Sequence, residues 1–200
     1  MKLYFAPGAC SLVPHIIIKA TNQDVELVKV SKYKTPDGGD FFQINPKGSV
    51  PALQLDDGSV LTEGPIIVQY LADRAGEVSL MPAAGSMARY RVMEWQNYIT
   101  SELHKGFSPM FNPAADEATK AYHHATLLKK FAWVDQQLAG KTWLTGDTFT
   151  AADAYLFVVS GWARYVNMDT QQFANLSAFL QRAAAMPAVQ AAMKEEGLLG

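Results

Sequence analysis

The chain contains one cysteine, Cys10, and its neighbours are the kind that make a thiol reactive. Lys2-Leu3-Tyr4-Phe5 has the aromatic and branched composition of a short strand, and it stops at the turn signal Pro7-Gly8. Leu12, Ile16, Ile17 and Ala20 then recur at helical spacing, with Pro14 in the first turn, where its missing N–H breaks no helical bond. Cys10 is thereby placed at a strand-to-helix turn, beside unpaired backbone N–H groups and the positive end of a helix dipole. Such a setting lowers a thiol pKa from about 8.5 toward neutrality and favours nucleophilic or anion-binding chemistry. A lone cysteine also serves in many proteins as a small buried filler, and this stretch by itself leaves both roles open.

Other residues are of types that could work beside such a thiol. In Val50-Pro51-Ala52-Leu53 a proline leads directly into a predicted strand. Proline cannot donate to the ladder, so Val50 must hold its backbone groups at a sheet edge or toward a ligand. Glu63-Gly64-Pro65 opens a predicted helix, where the dipole favours an acid whatever its role. Lys34 and Lys32, in the polar loop from Ser31 to Asn45, read on their own as solvated charges. Asn97, Ser101 and His104 recur at spacings of four and three, which places them on one face of a helix. His123-His124 read as structural, and no pair of histidines has an i, i+4 partner with a suitable acid, so no metal site is expected. A single cysteine excludes an internal disulfide and every multi-cysteine zinc pattern. Any sulfur chemistry needs a second thiol from outside the chain.

The elements that must position these residues fall into two groups. Val25 to Val30 is β-branched and largely alternating, so strand, helix and strand follow within about thirty residues as a right-handed βαβ unit with parallel strands. One helical turn is expected at Asp40 to Gln43 and a turn at Pro46-Lys47-Gly48. Ala52 to Leu55 and Val60-Leu61-Thr62 flank the hairpin signal Asp56-Asp57-Gly58-Ser59, and a helix from Glu63 ends near Ala75-Gly76. Residues 1–78 thus spell an α/β domain, βαβ followed by ββα, and residues 79–85 a linker. Residues 86–200 read as all-helical. Ser86 caps a long helix to about Phe107 with apolar positions Met87, Tyr90, Met93, Ile99 and Leu103. A second runs from Glu117 to Leu138, with Gly140 just past its end. Thr150 and Asp153 form a capping box opening a buried helix to about Tyr165, and two shorter helices flank Met186-Pro187.

Composition narrows the function classes. Of 200 residues, 49% are hydrophobic and 18% charged, which is a globular balance. A net charge of −2 with no basic stripe argues against a nucleic-acid footprint. No apolar run approaches the roughly 20 residues of a membrane span, and Pro7 interrupts the N-terminus before a signal-peptide core could form. A cytoplasmic protein without membrane or nucleic-acid partners is expected.

Read in order, the local strings resemble the cytosolic glutathione transferases, most closely their bacterial beta class with a cysteine at the active site. The strings are Lys2-Leu3-Tyr4 with Pro7-Gly8-Ala9-Cys10-Ser11, Asn45-Pro46-Lys47-Gly48 with Val50-Pro51-Ala52-Leu53, and Leu61-Thr62-Glu63. They continue through Asn97-Tyr98, Glu102-Leu103-His104-Lys105-Gly106-Phe107 and Phe149-Thr150-Ala151-Ala152-Asp153-Ala154-Tyr155. The resemblance implies a thioredoxin-like first domain that carries glutathione as co-substrate, and an all-helical bundle domain that lines the second-substrate site. It implies a cis Pro51 and a backbone contact of Val50 with the cysteinyl part of glutathione. Glu63 and Gly64 would receive the γ-glutamyl end and Lys34 the glycyl carboxylate. Asn97, Ser101, Glu102, Leu103 and His104 would lie near glutathione, some of them from a partner subunit of a homodimer. Many relatives carry serine or threonine where Gly64 stands, so one hydrogen bond, about 1 kcal/mol, is absent here. Cys10 would meet the glutathione sulfur, with His104 and Lys105 assisting, and Tyr4 and Ser11 are the nearby hydroxyls. Met110, Phe111, Trp162 and Tyr165 are candidates for contact with a small hydrophobic electrophile. The activity implied is conjugation of glutathione, with glutathione-dependent peroxidase or dehalogenase chemistry as variants. A thiol–disulfide oxidoreductase working through a Cys10–glutathione mixed disulfide, and a non-catalytic binding member of the fold, are the alternatives.

Overall fold

A computed structural model describes residues 1–199. Its elements follow the sequence reading closely. Strand β1 (Lys2–Phe5), helix α1 (Leu12–Ala20) and strand β2 (Glu26–Lys29) form the βαβ unit. A 3₁₀ turn at Phe41–Gln43 is capped by Asp40, whose side chain accepts from Phe42 N. Strands β3 (Ala52–Gln54) and β4 (Val60–Thr62) and helix α2 (Gly64–Ala75) complete the ββα half. The sheet order is β2-β1-β3-β4. Strand β1 runs parallel to β2, with Leu3 beside Leu27, and antiparallel to β3, with Leu3 opposite Leu53. Strand β4 returns beside β3, pairing Thr62 with Ala52. Leu3, Leu53, Ile16, Ile17, Ile67 and Leu71 are fully buried and form the core between sheet and helices.

The chain divides into two compact units, one of Met1–Met81 with the segment from Met186, the other of Pro82–Ala185. The last helix, α8 (Pro187–Glu195), therefore belongs with the sheet, packed on α1. Composition had grouped it with the helical domain, because its amphipathic pattern names no partner. The partner is set by side chains about 180 positions apart. His15 Nδ1 lies 2.9 Å from Glu196 Oε1 and its Nε2 3.0 Å from Glu195 Oε2, while Lys19 Nζ lies 2.6 Å from Glu195 Oε1. The expected linker is also packed in part, since Leu80 and Met81 are buried.

The second unit is helical: α3 (Met87–Tyr98), a π-helical turn (Ile99–His104), α4 (Lys105–Phe111), α5 (Glu117–Leu138), α6 (Ala151–Ser160), a 3₁₀ turn (Gly161–Val166) and α7 (Ala174–Ala184). Ser86 caps α3 by accepting from Arg89 N, Asp116 caps α5 by accepting from Thr119 N, and the Thr150–Asp153 capping box opens α6. Helix α6 is buried over most of its length, packed against α3, the π turn, the following 3₁₀ turn and α7. The first long helix shows two features that its apolar spacing does not indicate. Met87, Tyr90 and Met93 are 67%, 53% and 36% exposed, whereas Arg89, Val92 and Gln96 face inward. Arg89 can do so because its guanidinium donates to Pro82 O at 3.1 Å while its stem covers apolar surface. The helix also does not run uniformly to Phe107, because six residues wind as a π turn. Among the described residues no helix is long and apolar enough to cross a membrane.

Candidate active site

In the sheet unit, the register of β1, β3 and β4 brings the predicted residues to one end. Cys10 lies on the turn after β1, one residue before the Ser11 cap of α1, and is partly exposed. Its neighbourhood is closed by Leu12 N donating to Ala9 O at 3.0 Å and Val13 N to Cys10 O at 3.1 Å. Tyr4 pairs with Ala52, so the residues entering β3 stand beside the end of β1. The Val50–Pro51 peptide there is cis, as the resemblance implies. Cys10 Sγ–H donates to Val50 O at 3.3 Å. The two nearby hydroxyls are engaged elsewhere. Ser11, fully buried, accepts from Ala6 N at 3.1 Å and donates to Ala6 O at 3.2 Å, so it closes the turn. Tyr4 O–H donates to Gln54 Oε1 at 3.1 Å, and burial raises its pKa. Cys10 is thus the polar side chain aimed at the Val50 carbonyl.

Strand β4 carries the chain from Thr62, opposite Ala52, to Glu63 and Gly64 at the start of α2. A Cβ placed on Gly64 would stand 3.9 Å from Pro51 Cγ, so the two segments touch. Glu63 adopts φ +70°, a region that favours glycine and that other residues hold at a cost of about 1–3 kcal/mol. Its carbonyl accepts from Ile66 N and Ile67 N at 3.0 Å, and its carboxylate projects into solvent. There it accepts from Lys47 Nζ at 2.8 Å, while the same ammonium donates to Thr62 Oγ1 at 3.0 Å. Lys47 is a functional candidate that residue patterns passed over. It stands in the Pro46-Lys47-Gly48 turn, but nothing local indicates that the turn faces Glu63. Gly48 permits the turn at φ +65°, where a Cβ would lie 2.5 Å from Phe42 Cε1. Lys34 is exposed, on a loop pinned by backbone bonds of 3.0 Å with Ser31 in both directions.

In the helical unit the π turn divides the face that α-helical spacing assigned to Asn97, Ser101 and His104. Asn97 and Ser101 are exposed, whereas His104 is half-buried against α6 and the 3₁₀ turn that follows it. His104 Nδ1 lies 2.6 Å from Tyr155 Oη, and its ring meets those of Tyr155 and Trp162 edge-on at 5.9 and 4.8 Å. Trp162 in turn contacts Phe107 and Phe111, at 5.8 and 6.1 Å. Phe111 is 49% exposed, so this aromatic cluster has an open edge. Met110 is half-buried nearby on α4. Tyr165 is not part of this cluster, for it stacks under the Arg164 guanidinium, 4.6 Å from its ring. Leu103 is fully buried in the core, so its side chain is not available to a ligand. Glu102 pairs with Lys130 at 2.9 Å, and that ammonium holds its carboxyl below the ordinary range. Burial, and then the Glu102 charge, pushes Tyr98 up to about 12. Lys105 is exposed at the start of α4. π turns occur disproportionately at functional sites, and this one carries Ser101, Glu102 and His104. Among the described residues no group of three or more His, Cys, Asp or Glu side chains could hold a metal ion.

Known proteins resemble both units. Residues 1–73 match the family model of the glutathione S-transferase N-terminal domain, and residues 98–187 that of the C-terminal domain. The chain is 46% identical over 200 residues to glutathione S-transferase GstA of Escherichia coli O157:H7, covering 99% of this chain and 100% of that protein. In structure it is similar to a sphingomonad glutathione S-transferase complexed with glutathione, with a TM-score of 0.95 and 44% identity over 99% of this chain and 100% of that one. It is similar also to a bacterial beta class glutathione S-transferase of Sphingomonas chungbukensis, with a TM-score of 0.96 and 40% identity over the whole of both chains.

Proposed function

The chain belongs to the glutathione S-transferase family, and from that premise we propose that it binds glutathione beside Cys10 and conjugates it to small hydrophobic electrophiles. The observation that carries this reading is the Cys10 thiol held 3.3 Å from the Val50 carbonyl at the start of α1. An extended peptide laid along Val50 pairs with its backbone, as a strand pairs with a sheet edge. The glutathione sulfur then comes to Cys10 and the positive end of α1, which favour its thiolate. The thiolate attacks the electrophilic carbon and forms a C–S bond. The leaving group departs with its bonding electrons, and the thiol proton passes to solvent.

The remaining residues take the tripeptide's charged ends. Glu63 accepts from the γ-glutamyl ammonium, and the N–H groups opening α2 meet its carboxylate. Gly64 supplies only its backbone N–H there. Lys34 meets the glycyl carboxylate. Asn97, Ser101, Glu102 and the backbone at Leu103 flank glutathione, and His104 and Lys105 stabilise the anionic sulfur. Phe111 and Trp162, with Met110 beside them, offer apolar contact to the electrophile; the Trp162–Phe111 contact at 6.1 Å supports this role. Tyr165, outside this cluster, is a further candidate contact for the electrophile. A homodimer is part of the same reading, supported by the exposed Met87, Tyr90 and Met93 on α3. So is a reducing cytoplasm, which keeps a single reactive thiol available.

A panel of aryl halides and other electrophiles, assayed with glutathione on wild type and Cys10→Ala, tests the proposal. Conjugation by wild type that changes in rate or in electrophile preference in the variant is expected. Absence of both glutathione binding and conjugation in the folded wild-type protein would overturn it.

A further inference from the structure

We infer that Lys47 is a further binding residue for the γ-glutamyl end of glutathione: it takes the α-carboxylate while Glu63 takes the α-ammonium, so that the pair selects a ligand carrying both charges on one carbon. The inference rests on the glutathione site proposed above. The start of α2 by itself gives that carboxylate few donors. Pro65 has no N–H, and Ile66 N and Ile67 N are already bonded to Glu63 O at 3.0 Å, which leaves Gly64 N. Gly64 brings no side chain to the ligand. A cation is at hand on the residue before it, for Lys47 Nζ lies 2.8 Å from Glu63 Oε1 and 3.0 Å from Thr62 Oγ1. Buried structure holds the lysine there. Asn45, 2% exposed, accepts from Lys47 N at 3.2 Å through Oδ1 and donates to Ser49 O at 2.7 Å through Nδ2. Gly48 N donates to Asn45 O at 2.8 Å. A buried amide thus fixes the turn, and the lysine reaches the end of β4, where Thr62 pairs with Ala52.

The charges decide what can bind. The side chains of Lys47 and Glu63 are 56% and 62% exposed, so a ligand reaches both without disturbing the core. An ammonium has three protons to donate. With one of those of Lys47 on Glu63 and one on Thr62, a third is left for a ligand. A ligand bearing only an ammonium meets Glu63 with Lys47 already at the same carboxylate, and the two cations repel. A carboxylate on the same carbon as the ammonium lies against Lys47 and turns that repulsion into a closed set of alternating charges. The pair therefore reads the α-amino acid group of the γ-glutamyl residue as a unit.

Calorimetry with glutathione and two analogues tests this. One analogue lacks the α-carboxylate (4-aminobutyryl-cysteinyl-glycine) and the other lacks the α-ammonium (glutaryl-cysteinyl-glycine). Lys47→Met should bind glutathione, and the glutaryl analogue, about tenfold more weakly than wild type does, the worth of one charged hydrogen bond. The same substitution should leave the 4-aminobutyryl analogue unweakened or bind it more tightly, because it removes a repelling cation and no partner. Lys47→Arg should keep most of the affinity for glutathione. In conjugation of an aryl halide, Lys47→Met should raise KM for glutathione about tenfold and change kcat less than about twofold, since the contact is remote from the sulfur. Equal weakening of glutathione and the 4-aminobutyryl analogue would make Lys47 a mere prop for Glu63 and overturn the inference, as would an unchanged affinity for glutathione. Wild type that binds none of the three ligands would overturn the proposed function itself, and the inference with it.

Discussion

Glu63 is held at φ +70° with its carboxylate in solvent beside Lys47, an arrangement that does little for stability. Exposed ion pairs of this kind are worth about 0–1 kcal/mol, while a positive φ costs more than that. The proposed function gives the side chain a role there, as acceptor for the γ-glutamyl ammonium. Glu63→Gln is expected to lower glutathione affinity at least tenfold by calorimetry and to move the melting temperature by no more than about 2 °C. An equal affinity in the variant would remove Glu63 from the site. At this scale the sequence showed the residue but not its situation. Cys10, Val50 and Glu63 stand out as a thiol at a helix start, a residue before a strand-leading proline, and an acid at a helix start. Lys47 and Tyr155 do not, because a lysine in a turn and a tyrosine in a buried helix gain meaning only from partners 16 and 51 positions away.

Elements were legible where their signals are local. Strands came within a residue or two, and caps such as Ser86 and Thr150 lie where the pattern placed them. The π turn at Ile99–His104 was not legible, since its residues carry ordinary helical patterning and its winding is settled by packing on α6. The exposed side of α3 was not legible for a related reason. Apolar spacing identifies a helix and its stripe but does not say which side the core takes. The start of α6 makes a sharper prediction. Asp153 Oδ2 accepts from Thr150 N and Oγ1 at 2.8 and 2.7 Å, and Oδ1 accepts from Leu144 N at 2.8 Å. Asp153→Asn puts an amide against one of these donor sets, so the protein should lose about 1–3 kcal/mol by chemical denaturation. Burial outweighs these bonds and pushes the Asp153 pKa up to about 6. A folded pKa above the unfolded value means that the native state binds the extra proton between about pH 4 and 6. This contribution is present in full below that window and lost as pH rises through 6. The margin of wild type over Asp153→Asn should therefore narrow between pH 4.5 and 7.5.

The molecule as a whole is tied by contacts that no window of sequence contains. Helix α8 closes the sheet unit through His15, whose two nitrogens meet Glu195 and Glu196, and Glu196 Oε2 also accepts from Gly8 N at 2.8 Å, two residues before Cys10. The C-terminal helix thus braces the turn that carries the thiol. His15→Ala removes one of the two groups bonded to the buried Glu196, a loss of about 1–3 kcal/mol. At about 2–4 °C per kcal/mol for a chain of this size, melting should fall by roughly 2–12 °C; an unchanged melting temperature would show the network to be idle. The order of elements was readable from beginning to end, yet the membership of α8 was not, because it depends on burial at the far end of the chain. The central claim, that the Cys10 turn receives the sulfur end of glutathione, is tested most directly by alkylation. Cys10 is the only cysteine, so intact mass reports its modification by iodoacetamide without mapping. Saturating S-methylglutathione, which has no thiol to consume the reagent, is predicted to slow that modification at least tenfold. An alkylation rate unchanged by the ligand would contradict the claim.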